Sequence, residues 1–164
     1  MTTTSNQIGL TLFGVPGVPA TNNTAGMEAL AFVQLKGTQL LPSFGVTHGN
    51  IDVSDLGTGF TSGVKGAATG NDSTFTFHGD GTDTGIATAI TAANSQSGLY
   101  TLKIVRGSGT DTGDGPAPVA GDVVSYAQGY LHTFALNPKD DTSFEGGTIN
   151  FKQNDFTVDD VEPA

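Results

Sequence analysis

The chain has 164 residues, with 24 Gly, 7 Pro, no Cys and no Trp, and its length fits one domain. Six basic residues stand against sixteen acidic ones, which gives a net charge of −10. Binding to phosphate groups relies on Lys and Arg side chains. So few of them argue against a site that binds a nucleic-acid backbone and against binding to an anionic membrane surface. The absence of Cys excludes disulfides, zinc–thiolate sites and a cysteine nucleophile.

The polar residues are mostly neutral, because charged residues make up only 13% of the chain. Thr favours strands, whereas Gly, Asn and Asp favour turns, so the composition predicts a mainly β protein with many connections. The first basic residue is Lys36, so a signal-peptide pattern is missing, and no run approaches the ~18 apolar residues that cross a bilayer. We expect the chain to stay where it is made, or in a particle assembled there.

The first 26 residues are predicted to form an extended arm. Pro16 and Pro19 fix φ and remove two hydrogen-bond donors, which disfavours a central strand. Residues 27–158 are predicted to form a single β-rich domain, and residues 159–164 an acidic C-terminal tail. Within the domain, residues 28–36 have apolar side chains in both registers, which is typical of a strand covered on both faces.

The middle of the chain is rich in glycine. Residues 46–53 predict a half-exposed strand that places Ile51 and Val53 on one face. Residues 54–72 predict either a long hairpin connection or two short edge strands around Phe60 and Val64. The alternation in residues 73–78 places two phenylalanines inside and threonines outside.

One helix is predicted over residues 83–96, where Ile86, Ala89, Ile90 and Ala93 recur at helical spacing and Asp83 or Thr84 caps the start. Its narrow apolar stripe suggests that it lies across a sheet. Strands are expected over the segments that follow, with a Gly-rich loop at 107–118 and a bend at Gly129: residues 99–106, 122–136, 143–152 and 154–158.

Candidate chemistry is sparse. A three-histidine metal site is conceivable at His48, His78 and His132, but no H-x-H or H-E-x-x-H spacing occurs, so surface or interface histidines are favoured. Two similar Gly/Asp loops, HGDGTDTG (78–85) and GSGTDTGDG (107–115), could hold Ca²⁺ or be plain turns. No nucleophile elbow or phosphate-binding loop is present, so we expect neither catalysis nor a cofactor or metal.

The order of elements resembles the major tail tube proteins of long-tailed, siphophage-like bacteriophages. The resemblance covers roughly residues 25–160 and is one of pattern and composition. It rests on the following segments: LPSFGVTHGNIDVSDLGTGFTSGVKGAATGNDSTFTFH (41–78), DTGIATAITAAN (83–94), YTLKIVRG (100–107), DVVSYAQGYLHTFAL (122–136) and FEGGTINFKQNDFTV (144–158).

The resemblance implies a β-sandwich or half-barrel with one flanking α-helix, long loops and extended N- and C-terminal arms. It implies a virion protein, assembled in the host cytoplasm, that forms hexameric rings stacked into a tail tube. The tape measure protein and the phage DNA would pass through the lumen without specific binding. An acidic wall suits such a conduit, because it repels phosphate and leaves the polymer free to slide.

Two sets of residues are candidates for roles in a tube. The apolar residues expected to contact other subunits, with ordinary burial in their own subunit as the alternative, are Phe13, Val15, Leu56, Phe60, Phe156 and Val158. The polar residues expected to face the lumen are Asn50, Asp52, Thr74 and Thr76. Unpaired strand edges would drive the assembly by pairing with strands of neighbouring subunits, because a closed ring leaves no strand edge unpaired.

Other classes remain as alternatives. A capsid decoration protein or another β-sandwich of a virion would share the acidic, Thr- and Gly-rich composition. A Ca²⁺-dependent or carbohydrate-binding β module would use the Asp/Gly loops, although no Trp offers a stacking platform for sugars. An enzyme is the least favoured class.

Overall fold

A computed structural model describes residues 8–164, and it places ten strands and two helices in that part of the chain. The elements, in chain order, are β1 (Leu10–Pro16), α1 (Thr24–Glu28), β2 (Val33–Gln34), β3 (Thr38–Leu40), β4 (Val46–Asp55), β5 (Phe60–Gly70), β6 (Asp72–His78), α2 (Thr84–Ala93), β7 (Leu99–Arg106), β8 (Val123–Leu136), β9 (Gly146–Gln153) and β10 (Val158–Val161). No helix among the described residues is long and apolar enough to cross a membrane.

Eight strands form one antiparallel sheet, and β4 and β5 form a separate two-stranded ribbon. The main sheet has the order β2-β1-β7-β8-β9-β6-β3, and β10 pairs with the start of β8. The long strand β8 pairs with β7 through its first half and with β9 through its second, with a register shift between Leu131 and Thr133. The mainly β, sandwich-like fold predicted from the sequence is confirmed.

Helix α2 covers one face of the sheet, as its apolar stripe predicts. The Asp83 carboxylate accepts a hydrogen bond from the Ile86 N–H and caps the helix start. The alternation of β6 places Phe75 and Phe77 in the same core, where both are fully buried. This first core comprises Leu12, Leu35, Phe75, Phe77, Ile86, Ala89, Ala92, Ala93, Tyr100, Leu102, Ala127, Leu131, Ile149 and Phe151.

A second, smaller core lies on the opposite face of the sheet. It forms where the short helix α1 and strand β10 cover the ends of β7 and β8. Its members are Met27, Val105, Val124 and Tyr126, with Phe13, Phe32 and Val158 packed against them. The sequence predicts one helix only, because the five residues of α1 are too few to show a helical period.

The arm predicted for residues 1–26 is wrong for much of its length, and its first seven residues lie outside the described residues. Residues 10–16 form β1, which lies between β7 and β2 with Leu12 fully buried. Pro16 is tolerated because it is the last residue of the strand. The predicted strand at 28–36 is also wrong: α1 ends at Glu28, and only Val33–Gln34 is a strand.

The acidic tail predicted for residues 159–164 is wrong as well, because β10 pairs residue by residue with the start of β8. The Asp159 carboxylate accepts a hydrogen bond from the Ser125 hydroxyl, and that of Asp160 accepts one from the Thr24 hydroxyl. A paired strand and a free tail can have the same acidic composition, and they differ only in whether the segment has partners such as these.

Candidate assembly interface

The glycine-rich middle of the chain forms a long β-hairpin, β4–β5. The ten-residue strand β4 pairs with the eleven-residue strand β5 through nine residue pairs. One long strand therefore replaces the two short edge strands that were the second possibility predicted for residues 54–72. The open edges of the main sheet are far shorter, because β2 has two residues and β3 three. The hairpin therefore offers the longest unpaired strand edges in the described part of the chain.

The hairpin has one apolar and one polar face. Ile51 pairs with Val64, and Val53 with Ser62, so these residues share a face with Phe60 beyond them. Asn50 pairs with Lys65 on the other face, which also carries Asp52. The apolar face lies open to solvent: Phe60 is 69% exposed, and Leu56 at the turn is 99% exposed.

The hairpin is attached to the sheet only at its root. The Gly45 N–H donates to the Gln153 side-chain oxygen, and the Asn71 N–H donates to the Gly45 carbonyl. A Cβ at Gly70 would lie 1.9 Å from the Gln153 carbonyl oxygen, so only glycine permits this approach. The ring of His48 lies 6.2 Å from that of Phe156. The strands beyond the root are exposed on both faces.

The predicted contact residues divide into two groups in the structure. Leu56 and Phe60 lie at the tip of the hairpin, and Phe156 lies exposed near its root. Phe13 and Val158 instead pack against the second core of their own chain, and Val15 is half-buried in β1. The structure thus leaves the first three available for contacts with other subunits.

A polar patch covers the face of β8, β9 and β6 that is opposite to α2. The register aligns Thr133, Asn150 and Thr74 in one row. The next row holds Ala135, Thr148 and Thr76. The predicted lumen-facing residues Thr74 and Thr76 therefore lie together on a wall of short, uncharged side chains. Asn50 and Asp52 lie elsewhere, on the polar face of the hairpin.

The two Asp/Gly loops come together around Lys36. The Lys36 ammonium lies 2.9 Å from the Asp114 carboxylate, and this hydrogen-bonded contact raises the lysine pKa. The Asp111 carboxylate accepts the N–H groups of Gly113 and Gly115 in its own loop. Hydrogen bonds from Thr82 lower the pKa of Asp80. These carboxylates serve turns and an ion pair within the chain.

The three histidines lie in different surroundings. His48 faces Phe156, while Nε2 of His132 lies 3.0 Å from the Asp72 carboxylate. His78 ends β6 and lies beside Gly37. Within residues 8–164, no three His, Asp or Glu side chains are arranged to hold a metal ion.

A buried charge cluster that the sequence analysis missed lies over the second core. The side chain of Lys103 is 7% exposed, and its ammonium lies 3.2 Å from Glu28 and 2.7 Å from Glu162. The Tyr126 hydroxyl donates to the same Glu28 carboxylate. The lysine also lies over the rings of Phe32 and Tyr126. The chain separations, 75 and 59 residues, left no local pattern to reveal this cluster.

Comparisons with known proteins identify a fold but no family. No protein-family model and no curated protein matches the chain. A chain from the cryo-EM structure of the anti-feeding prophage cap, described as the AFP tube terminating cap, superposes with a TM-score of 0.63 at 13% identity, over 99% of this chain and 94% of that one.

Two further cryo-EM structures extend the likeness. A chain from the six-fold symmetrised baseplate of the anti-feeding prophage has a TM-score of 0.63 at 8% identity, covering 99% of this chain and 98% of that one. A chain from the sheath/tube terminator of an extracellular contractile injection system, PVC, has a TM-score of 0.59 at 9% identity, covering 97% and 98%. Across nearly its whole length, the chain has the fold of components of phage-tail-like particles.

Proposed function

We propose that this chain is a structural subunit of a phage-tail-like tube and that it assembles with copies of itself into hexameric rings. The observation that carries the proposal is the β4–β5 hairpin, whose apolar face is uncovered within the chain. An isolated two-stranded ribbon is at best marginally stable in water, and a neighbouring subunit would supply the missing packing. The full-length likeness to chains of tail-like particles supports the same role.

The tube would serve as a conduit without a catalytic site. The rows of Thr74 and Thr76 would face the lumen, with Asn50 and Asp52 of the hairpin also exposed to it. The net charge of −10 would repel a passing phosphate backbone, so that DNA and a tape measure protein slide without specific binding. The protein would act in the tail of a virion or a virion-like particle.

A second candidate is a ring that ends such a tube instead of extending it. It is favoured by two of the similar structures, which are a tube terminating cap and a sheath/tube terminator. The two candidates differ in growth: a tube subunit forms stacks of many rings, whereas a terminator stops after a single ring or a pair.

Negative-stain electron microscopy at high protein concentration, with light-scattering mass alongside, tests both. Long hollow tubes support the first candidate, and uniform single rings support the second. The variants Leu56→Asp and Phe60→Asp should remain folded monomers, because both residues are exposed. The matched control is Val18→Asp, which places the same charge at an exposed apolar residue outside the hairpin.

A strict monomer at every concentration would contradict the proposal. Ca²⁺ titration would then test the binding-module alternative. Assembly that survives both hairpin variants would show that subunits join through another surface.

A further inference from the structure

Lys103 of β7 lies between two segments that come from opposite ends of the chain. Glu28 is the last residue of α1, and Glu162 directly follows β10. The two segments also contact each other, because the Thr24 hydroxyl donates a hydrogen bond to the Asp160 carboxylate. Folding therefore brings one amine and two carboxylates together and holds them in place.

Both carboxylate oxygens of Glu162 lie against the Lys103 ammonium. The Nζ atom donates a hydrogen bond to Oε1 at 2.9 Å and lies 2.7 Å from Oε2. Oε2 is closed off from solvent and accepts no hydrogen bond from the described residues. Such a buried oxygen is unusual in a folded protein and calls for an explanation. The nitrogen is thus in contact with the carboxyl group, at a separation from which a bond between them can form.

Glu28 supplies a second carboxylate that charge balance does not require. One ammonium neutralises one carboxylate, so the cluster has an excess of one negative charge. Oε1 of Glu28 accepts a hydrogen bond from Nζ of Lys103 at 3.2 Å. The Tyr126 hydroxyl donates to the same oxygen and fixes its position. A carboxylate placed in this way can take a proton from the ammonium and pass it to a leaving oxygen.

Aromatic rings and the second core keep bulk water away from the cluster. Nζ of Lys103 lies 5.7 Å from the ring centroid of Phe32 and 5.4 Å from that of Tyr126. The Glu162 side chain is 17% exposed, and Met27 is fully buried in the core beneath. Ions are costly in such surroundings, so a reaction that converts two ions into a neutral group and releases water is favoured there.

We propose that the side chains of Lys103 and Glu162 condense to an amide, which is an isopeptide cross-link within the folded chain. Glu28 takes one proton from the ammonium, and the neutral amine attacks Cδ of Glu162. The Nζ–Cδ bond forms, and the Cδ–Oε2 bond breaks. The oxygen leaves as water with two of the three ammonium protons, one of them delivered by Glu28. One ammonium and one carboxylate thus give one amide and one water, and no other reactant is needed.

The fold supplies what this condensation lacks in free solution. Groups held in contact react as if at an effective concentration of ~10⁵–10⁸ M, which offsets the excess of water that favours hydrolysis. The ion pair is the starting state, so a newly folded chain contains it and the cross-link follows. The product would tie β7 covalently to the C-terminal segment. This inference goes beyond the proposed function, because it concerns a reaction within one subunit.

The mass of the intact chain under denaturing conditions tests the cross-link. The purified protein should be lighter than its sequence by one water molecule. Aspartate–glycine pairs, such as Asp80–Gly81, can also lose water by forming a succinimide. Proteolysis followed by tandem mass spectrometry distinguishes the two, because only the cross-link gives a branched peptide that joins Lys103 to Glu162.

Variants test the role of each group during a time course after cell-free synthesis. Lys103→Arg keeps the positive charge but has no amine that can condense, so it should keep its full mass. Glu28→Gln keeps both reacting groups and removes the base, and it should slow the loss of water about a hundredfold. The matched control is Glu145→Gln at an exposed glutamate outside the cluster, which should react at the unmodified rate. Circular dichroism checks that each variant is folded.

Full mass of the folded, unmodified chain throughout the time course would overturn the proposal. A branched peptide that joins Lys103 to Glu28 would overturn the assignment of the two carboxylates. An unchanged rate in Glu28→Gln would show that this residue is not the base. The mass of a single chain does not depend on assembly, so a missing cross-link would leave the proposed function intact.

Discussion

The ammonium of Lys103 lies 2.7 Å from a carboxylate oxygen of Glu162, and this contact ties the C-terminal segment to the middle of the main sheet. Glu28, at the end of α1, contacts the same ammonium at 3.2 Å. One lysine thus holds two segments from opposite ends of the chain over the second core.

Lys103→Met should lower the free energy of unfolding by about 3 kcal/mol, because removing one member of a buried ionic cluster leaves the other charges unpaired. The two carboxylates keep some contact with solvent, which limits the loss. Urea unfolding followed by circular dichroism measures it. The matched control is Lys65→Met on the exposed hairpin, for which we expect a change within about 0.5 kcal/mol. Equal effects of the two variants would show that the cluster contributes nothing.

Gly14 should tolerate no side chain, because β1 passes directly beside the ring of Tyr100. A Cβ at Gly14 would lie 2.4 Å from Cε1 of that ring, and both residues are buried. Gly14→Ala should therefore destabilise the fold by about 2 kcal/mol through overpacking. Gly45→Ala, where a Cβ meets nothing within 4 Å, is the control in the same unfolding measurement. A Gly14→Ala variant as stable as this control would contradict the packing.

Alkaline pH should destabilise the protein through Tyr100. Its hydroxyl is buried without a hydrogen-bond partner among the described residues, and burial raises its pKa. The unfolded chain then releases the phenolic proton first, so stability is complete below the ordinary tyrosine pKa of ~10 and falls as the pH rises above it. Tyr100→Phe removes this part of the loss and should be neutral or stabilising at pH 7. Unfolding at pH 8 and pH 11 checks the prediction, and identical pH dependence of the two proteins would refute it.

Local alternation and local spacing let the sequence predict α2, β6 and β7 well. Asp83 caps α2 as expected, and Phe75 and Phe77 occupy the expected core. The terminal segments were mispredicted, because their partners lie far away in the chain: β1 pairs with β7, and β10 pairs with β8. An acidic strand and an acidic tail have the same composition, and only the register on β8 distinguishes them.

The candidate assembly interface also contains residues that the sequence could predict and residues that it could not. The turn at Leu56 and the apolar residue Phe60 stand out in a glycine-rich stretch, so the sequence could nominate them. The polar patch around Thr74 could be predicted only in part, because Thr133 and Asn150 join it through the pairing of β8, β9 and β6. Val158 was nominated for its apolar character, but the sequence does not reveal the core that it enters.

Acid should loosen the loop between β7 and β8 before the rest of the fold. The Asp122 carboxylate accepts hydrogen bonds from Ser108 and Val119, and these lower its pKa. The stabilisation is present above the ordinary aspartate pKa of ~3.9 and is lost as the pH falls through the lowered value. Protection of the Ser108 and Val119 amides from hydrogen exchange should therefore be present at pH 6 and be lost only as the pH falls below the ordinary aspartate pKa of ~3.9. Asp122→Ala, which removes both acceptor oxygens, should be unprotected at both pH values, and strong protection of that variant would contradict the role of the carboxylate.

Cysteine labelling should show which side of the sheet faces the lumen. Thr74→Cys and Thr76→Cys place single thiols in the polar patch, and Thr91→Cys places one on the exposed side of α2. In monomers, a bulky polyethylene glycol maleimide should react at all three positions. In assembled tubes the first two should react with a small maleimide only, because a closed wall excludes the bulky reagent, while Thr91→Cys should react with both. If the bulky reagent failed to react at position 91 but reacted freely at positions 74 and 76, the assignment would be reversed. In that case α2 would face the lumen and the threonine rows would lie outside.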